Sequence, residues 1–516
     1  MQSYKKLYKL GEGEYGKVYK VERISDGKLF AMKTYTSDTP DINEIDILCT
    51  FKHPNMLYCV DCFYDTKDGL CVILPLAEYD LQEYITQKHP SGLSIGKCKS
   101  VLFQLASAVQ FMHTNNIYHC DIKPQNILLY NNEIMLADFG MSFLNLQGKG
   151  MRCGTLGYAS PQTSSQLKES MQDYPVEDEE YSEDDEYAED EEESDTEKYK
   201  KLLFLTQQQG NEYFLSDIFA IGLVLLFCLT GDVLTYSYED AWRDYANAEN
   251  FVAMRLDSKR DDITNPSELS DFDKMANICT EACRLSLDER TASIKQILGS
   301  DLFAGDQPIN GRIEQISLHA IPETICNTNF DQVISGEFQW MNRQLEVSKT
   351  SNPILVLNLA LEIFIRSSSL CKANNNARLY ACVAWFCADY TINSNARLTY
   401  EHLSKITDYQ VSPKEVDIAV KQVIGHLKGC MLSNTFASEH TTNAYATLYY
   451  LYHVLQSPTK YLSMNHRTTY DEYRTSGFYR NEALATSDIT KFLIQLNNKE
   501  VTISTRDRQD IIVKMD

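Results

Sequence analysis

The chain has 516 residues, of which 43% are hydrophobic and 11% aromatic, and its formal net charge is −24. This length exceeds what one hydrophobic core usually supports, so we expect two or three domains. An acidic chain lacks the basic patches that phosphate contacts need, which argues against nucleic-acid binding. Fifteen cysteines and no apolar N-terminal leader favour reduced thiols in a cytoplasmic or other intracellular compartment over secretion.

The strongest apolar run, Ile218–Leu229, is shorter than the stretch of about 20 residues that spans a bilayer. We therefore predict a buried core helix there and no membrane association. Cys59 and Cys62 have the spacing of a zinc-ligand pair, but no second pair follows at a suitable distance. Buried cysteines acting as small hydrophobic side chains are the better interpretation.

Residues 1–75 alternate apolar and polar positions in short runs separated by turn residues, which predicts strands. One helix interrupts them. It begins after Pro40 and Asp41, with Ile42, Ile45 and Leu48 along one face. From about residue 80 to 303 the apolar spacing is helical. A small sheet lobe followed by a larger helical lobe is predicted.

An acidic segment interrupts the helical part, and its core, Glu177–Glu197, has 15 acidic residues in 21 positions. A segment this charged buries too little apolar surface to offset the entropy of ordering, so we expect a disordered insert over about 163–210. It is either a solvated loop or a docking or phosphorylation segment; the second alternative is considered because Ser182, Ser194 and Thr196 lie among acidic residues.

Residues 310–516 follow as an all-α domain, with helical patterns at Ile354–Ile365, Ala377–Ala388, Val416–Leu427 and Thr442–Leu455.

Short motifs occur in a fixed order through the first 300 residues. They are Gly11-Glu-Gly-Glu-Tyr-Gly16, Phe30-Ala-Met-Lys33, Glu44, His119-Cys-Asp-Ile-Lys-Pro-Gln-Asn126, Asp138-Phe-Gly140, Gly154-Thr-Leu-Gly-Tyr-Ala-Ser-Pro161, Asp217 and Arg290. Their order and spacing resemble the eukaryotic protein kinase family over residues 4–303. The resemblance implies an α+β fold with two lobes and the use of ATP and Mg²⁺.

The resemblance assigns the nucleotide site to residues from both lobes. Glycines let backbone amides approach phosphates closely, and Lys33, paired with Glu44, supplies a positive charge. Pro75 through its carbonyl and Ala77 through its amide are expected to bind the adenine. The expected nucleotide-binding residues are Leu10, Gly11, Glu12, Gly13, Glu14, Tyr15, Gly16, Lys17, Val18, Ala31, Lys33, Glu44, Pro75, Ala77 and Leu128.

The chemical step is assigned by the same resemblance to the second group of motifs. Asp121 is expected to orient the substrate hydroxyl, and Lys123 to contact the transferred phosphate. Asn126 and Asp138 offer the oxygen ligands that Mg²⁺ prefers. Lys123 and Thr155 are typical of the Ser/Thr branch of the family.

Two departures concern activation. Cys120 stands where most family members carry an Arg that pairs with a phosphate on the activation segment, and Ser142 is the single hydroxyl residue of Met141–Cys153. An ordered, unphosphorylated segment is therefore expected. The N-terminal lobe is most similar to cyclin-dependent kinases, although Asn43 stands where that subfamily carries Arg.

The C-terminal helices resemble a cyclin box over about 330–430, with Tyr390 and Val420 at the positions of the family's kinase-contacting Lys and Glu. An unrelated helical bundle is the alternative. Intramolecular docking of this domain is a hypothesis, and the fusion suggests a large DNA virus or a protist as source.

The predicted function is that of a Ser/Thr protein kinase that acts on protein substrates inside a cell (the host cell if the protein is viral). The alternative is a nucleotide-binding pseudokinase scaffold that recruits partners through the acidic insert and the helical domain.

Overall fold

The computed structural model of the chain describes residues 3–13, 16–35, 40–115, 117–144, 155, 157–160, 212–232, 248–284, 286, 289–291, 293–313, 337, 340–341, 353–392, 398–431, 500–504 and 510–514. The chain divides into two compact units, Met1–Glu314 and Gln315–Asp516. The expected acidic insert at about 163–210 and the helix expected at Thr442–Leu455 lie outside the described residues.

The first unit begins with an antiparallel five-stranded sheet in the order β1-β2-β3-β6-β5. Its strands are β1 (Tyr4–Gly13), β2 (Gly16–Arg23), β3 (Leu29–Tyr35), β5 (Asp61–Asp65) and β6 (Gly69–Pro75). The short strand β4 (Phe51–Lys52) lies between β3 and β5 in sequence. The alternation that predicted strands is therefore confirmed in this lobe, and the sheet is the small lobe of the α+β fold.

The helix predicted between the strands is α1 (Ile42–Thr50). Asp41 caps it, because its side chain accepts a hydrogen bond from the Glu44 backbone N–H at 2.9 Å. Ile42, Ile45 and Leu48 are fully buried. These apolar residues fix the helix against the sheet, which places Glu44 opposite β3.

Helices dominate the second lobe of this unit. They are α2 (Leu81–Lys88), α3 (Ile95–Thr114), α4 (Glu212–Thr230), α5 (Ala248–Arg260), α6 (Pro266–Ala282) and α7 (Ile294–Leu298). In the described part of the chain, α4 contains one stretch long and apolar enough to cross a membrane, Tyr213–Thr230, but most of it is buried inside the protein. It is a core helix, as its apolar run predicted.

Short strands frame the cleft between the lobes. They are β7 (Tyr79–Asp80), β8 (Ile117–Tyr118), β9 (Ile127–Tyr130), β10 (Glu133–Leu136), β11 (Phe143–Leu144) and β12 (Arg312–Ile313). One sheet has the order β10-β9-β7, and β11 pairs with β8. The last strand, β12, returns from the end of the helical lobe and pairs antiparallel with β4, directly after α1.

The described part of the second unit contains α8 (Pro353–Arg366), α9 (Ser368–Asn374), α10 (Ala377–Ile392), α11 (Tyr400–Ile406) and α12 (Pro413–His426). The helical content predicted for this region is present. A two-stranded antiparallel hairpin, β13 (Glu500–Ser504) with β14 (Asp510–Lys514), was not predicted. The resemblance to a cyclin box stays a prediction.

Candidate active site

Lys33 and Glu44 form an ion pair between the sheet and α1. Lys33 Nζ lies 2.6 Å from each carboxylate oxygen of Glu44, and the two side chains are 17% and 5% exposed. Tyr35, also on β3, donates its hydroxyl to Glu44 Oε2 at 3.0 Å. The structure thus brings together two residues that the sequence paired, and adds a third contact that pattern reasoning did not identify.

The N-terminus of α1 adds a second carboxyl to this region. Asp41 is only partly exposed, and burial, with Glu44 nearby, raises the pKa of its carboxyl to about 7. Burial is also the main reason why the pKa of Tyr35 is raised, and Glu44 adds to it. Both shifts follow from placing acidic groups around one lysine in a place with little water.

Asp121, Lys123 and Thr155 form a closed triangle of hydrogen bonds. Thr155 Oγ1 donates to Asp121 Oδ1 at 2.5 Å, while Lys123 Nζ donates to Asp121 Oδ2 and to Thr155 Oγ1, each at 2.7 Å. Both oxygens of the Asp121 carboxylate are therefore held in fixed directions. Thr155 was noted as a marker of the Ser/Thr branch, and its contact with Asp121 makes it a site residue that the sequence assignment omitted.

Asn126 and Asp138 are the residues expected to hold Mg²⁺. The Asn126 amide nitrogen donates to Asp121 at the backbone oxygen (2.8 Å) and at Oδ2 (3.0 Å), so its amide oxygen is the atom that would ligate a cation. Asp138 is exposed and has a φ of 63°, a left-handed conformation that Asp tolerates better than most residues. One amide and one carboxylate oxygen fit a hydrated Mg²⁺ that also binds phosphates.

Asp217 of α4 holds the loop that carries Asp121 through hydrogen bonds to the backbone of that loop. Asp217 accepts the backbone N–H of His119 at 3.0 Å and of Cys120 at 2.8 Å, and His113 Nε2 lies 2.8 Å from its Oδ2. Cys120 has a φ of 64°, which is strained for a residue with a side chain, so these bonds stabilise an unfavourable backbone turn. Asp217 belonged to the motif series, and the structure gives it this support role.

His119 and Phe139 contact each other in the interior behind the site, with ring centroids 5.4 Å apart. Burial lowers the pKa of His119, and its Nε2 lies 3.1 Å from the Ala137 carbonyl. Leu48 is also buried, and its carbonyl accepts the Cys59 N–H at 2.8 Å. His119, Phe139 and Leu48 are thus all buried.

The glycine-rich segment is a β-hairpin, as the strand pattern after Gly16 predicted. Gly13 pairs with Gly16 in the β1–β2 register. A Cβ at Gly16 would lie 2.1 Å from the Thr34 carbonyl oxygen, so a larger residue cannot fit there. Glu14 and Tyr15, both expected to bind nucleotide, lie outside the described residues.

The other residues expected to bind nucleotide lie on or beside strands of the first unit. In the sheet, Val18 pairs with Lys33 and Ala31 pairs with Leu74. Pro75 ends β6 and is buried, Ala77 follows it, and Leu128 lies on β9. Leu10 is 46% exposed, Gly11 lies beside Val18, and Glu12 forms ion pairs with Lys9 and with Lys17. These positions are compatible with an adenine enclosed between Ala31 and Leu128.

Asn43 and Ser142 are two further residues near the site that the sequence assignment did not include. The Asn43 side-chain amide donates to the Ser142 carbonyl, three residues after Phe139. The signal that could have identified Asn43 is its position directly before Glu44 in α1.

A two-lobed fold with this arrangement at the cleft is a protein kinase fold. In agreement, residues 4–176 match the family model described as Protein kinase domain. The expected domain, 4–303, extends beyond that match.

Among individual proteins, the chain is similar to cyclin-dependent kinase 14. The Xenopus tropicalis and Callithrix jacchus proteins are each 38% identical over 147 residues, which are 27% of this chain and 34% of theirs. The Mus musculus protein is also 38% identical over 147 residues, covering 31% of its length. The matched region thus spans about a third of these relatives.

Proposed function

We propose that the chain is a serine/threonine protein kinase that transfers the γ-phosphate of ATP to hydroxyl groups of protein substrates. The observation that carries this proposal is the triangle formed by Asp121, Lys123 and Thr155, together with a formed Lys33–Glu44 ion pair. An acceptor-orienting carboxylate and two lysines in one cleft are what phosphoryl transfer requires of a protein.

Nucleotide binding is the first part of the proposed mechanism. Lys33, oriented by Glu44, would neutralise charge on the phosphates, and the β-hairpin from Gly11 to Gly16 would cover them with backbone N–H groups. Mg²⁺, held by Asn126 and Asp138, would supply charge neutralisation for the leaving phosphate when bound. Pro75 and Ala77 would hold the adenine edge through the backbone.

Acceptor activation is the second part. Asp121 would accept a hydrogen bond from the substrate hydroxyl and orient its oxygen toward the phosphorus. Because Thr155 and Lys123 each hold one carboxylate oxygen, Asp121 cannot rotate freely and its direction is set before substrate arrives. Lys123 would also stabilise negative charge on the transferred group. Lys123 and Thr155 support Ser/Thr specificity through the family resemblance.

The partners follow from the same proposal. Protein substrates are the phosphate acceptors, and a cyclin-type partner is suggested by the name of the relatives. Docking of the second unit onto the first stays a hypothesis. An intracellular location is part of the proposal, since a kinase needs ATP, and neither nucleic acid nor membrane is proposed as a partner.

The test is incubation of the full chain with radiolabelled ATP, Mg²⁺ and generic basic protein substrates, in parallel with Asp121→Ala. We expect wild type to label protein and the variant to lose at least about a hundredfold in rate. Equal labelling by both proteins would contradict the proposal. Nucleotide binding with no transfer by wild type would favour the scaffold alternative.

A further inference from the structure

One hydrogen bond connects α1 to the segment that follows Phe139. The Asn43 side-chain amide donates to the backbone carbonyl of Ser142, which lies 99 positions further along the chain. Asn43 directly precedes Glu44, so one residue of α1 reaches this segment while the next reaches Lys33. The two contacts together define the rotation of α1 about its own axis.

Ser142 is itself firmly held. It is 3% exposed, its N–H donates to the Phe139 carbonyl at 3.0 Å, and its hydroxyl donates to the His119 carbonyl at 3.1 Å. The next two residues form β11, which pairs with β8. The bond from Asn43 therefore ends on a backbone position fixed to the catalytic loop rather than on a free strand.

These contacts form a continuous connection from the nucleotide-binding lysine to the catalytic loop. It runs from Lys33 to Glu44 by the ion pair, along α1 to Asn43, across to Ser142, and from the Ser142 hydroxyl to His119. Asp121 follows His119 by two residues, and its N–H donates to His119 Nδ1 at 3.2 Å. Displacement of α1 would break a bond at a position that supports Asp121.

Two positions, one in this connection and one in the loop it reaches, carry neutral groups where the family resemblance implies cations. Position 43 is an amide, and position 120 is a thiol that packs against Tyr118 and Tyr213. An amide donating to a backbone carbonyl needs no phosphate to complete it. A cation at either position would instead gain most from an added phosphate.

We propose that Asn43 is a positioning residue: through Ser142 it holds α1 and the post-Phe139 segment in the arrangement that joins Lys33 to Glu44, without a phosphate on that segment. The proposal rests on the proposed kinase function. It assigns Asn43 no contact with substrate or nucleotide, so its effect acts through the geometry of Glu44 and His119.

The test compares full-length wild type with Asn43→Leu, Asn43→Asp and Asn43→Gln. Leu has a branched side chain like that of Asn but no donor, Asp keeps the shape but turns an acceptor toward the carbonyl, and Gln keeps the donor. Gln87→Leu is the matched control, because Gln87 donates one amide hydrogen bond to Glu83 on the exposed side of α2. All proteins are treated with phosphatase first.

Three quantities are measured: kcat, the KM for ATP, and amide hydrogen exchange in 42–50 and 139–144. We expect Asn43→Leu and Asn43→Asp to lose about tenfold in kcat, the equivalent of one hydrogen bond, with a smaller change in the KM for ATP. Exchange should accelerate in both segments, Asn43→Gln should recover most of the rate, and Gln87→Leu should match wild type.

Wild-type kcat and exchange in Asn43→Leu would overturn the proposal. So would an Asn43→Asp variant as active as wild type, or exchange that accelerates across the whole first unit, which would indicate a general loss of folding. If wild type transfers no phosphate beyond the level of Asp121→Ala, the proposed function fails. The exchange comparison, which needs no turnover, still decides whether Asn43 holds the segment.

Discussion

Lys33 donates to both carboxylate oxygens of Glu44 at 2.6 Å, and this pair joins β3 to α1 in a place that water barely reaches. Removing one partner of such a pair leaves a buried charge without its counterion, which costs about 3–5 kcal/mol in typical proteins. The Tyr35 hydroxyl offsets part of that cost when the lysine is removed. The pair therefore matters for folding as well as for nucleotide binding.

Lys33→Met is the first prediction. Phosphate transfer should fall by at least about a hundredfold because the positive charge beside the phosphates is lost. Stability should also fall, by about 2–4 kcal/mol, because the buried Glu44 loses its counterion. Denaturant unfolding and an ATP-transfer assay measure the two effects separately.

The double variant Lys33→Met with Glu44→Gln is the matched comparison. It should be more stable than Lys33→Met alone, since no unpaired carboxylate remains, yet equally inactive. Arg260→Met, which breaks an exposed pair with Asp273, should leave stability nearly unchanged because solvent screens that pair. A double variant less stable than Lys33→Met would show that burial of Glu44 is not the cause.

The second prediction concerns pH and Asp41. Its carboxyl has a pKa of about 7 in the folded chain against an ordinary value of 3.8, so the folded state holds a proton that the unfolded state releases. Stability from this group is therefore greatest below about pH 4 and declines as pH rises toward 7. One proton gives a slope of at most about 1.4 kcal/mol per pH unit, and partial solvent contact makes it smaller.

Asp41→Asn removes this titration but keeps an oxygen that can cap α1. The variant should lose less stability than wild type between pH 4 and 7 in thermal unfolding at a series of pH values. Asp80→Asn is the control, because Asp80 caps α2 by the same contact with Glu83 in a more exposed place. Parallel pH profiles for wild type and Asp41→Asn would contradict the prediction.

How much the sequence could predict differs between the two groups of site residues. Those within one motif, such as Asp121 and Lys123, were assigned roles by the family resemblance; the structure shows their side chains in contact, and the roles stay predictions. The pairing of Lys33 with Glu44 came from the family resemblance and agrees with the structure. The sequence also located α1, since Asp41 is a typical N-terminal cap before an amphipathic run.

Contacts between distant segments could not be predicted in this way. The bond from Asn43 to Ser142 spans 99 positions and joins two ordinary polar residues, so no local pattern marks it. Strand β12 could not be predicted either, because two residues, Arg312 and Ile313, are too few to show a strand pattern. They form a strand only because the folded chain brings them beside β4. Such contacts depend on tertiary packing, which overrides local preference.

The third prediction concerns this returning strand. A Cβ at Gly311 would lie 2.6 Å from the ring of Phe111, which itself packs against Phe51 and His53 and cannot move freely. Gly311→Ala should therefore displace the strand and cost about 1–3 kcal/mol through overpacking. Amide exchange at 51–52 should accelerate, because these residues pair with Arg312 and Ile313.

Gly96→Ala is the matched control for that variant. A Cβ there meets no atom within 4 Å, and alanine in a helix is more favourable than glycine by about 1 kcal/mol, so stability should stay equal or rise. Unchanged exchange at 51–52 in Gly311→Ala would show that the strand does not hold the end of α1. Loss of the contact between the His53 ring nitrogen and the Ile309 carbonyl, 3.3 Å apart, would be a second sign that the strand has moved.

We propose that Asp121 directs a protein hydroxyl to the γ-phosphate of ATP. The most direct test is the initial rate of phosphoserine and phosphothreonine formation at saturating ATP and Mg²⁺, for full-length wild type and Asp121→Asn. We predict a measurable rate for wild type and a loss of about a thousandfold in the variant, with ATP affinity nearly unchanged, because Asp121 acts on the acceptor and not on the nucleotide. Equal rates for the two proteins, or label that appears on tyrosine instead of serine and threonine, would contradict the account.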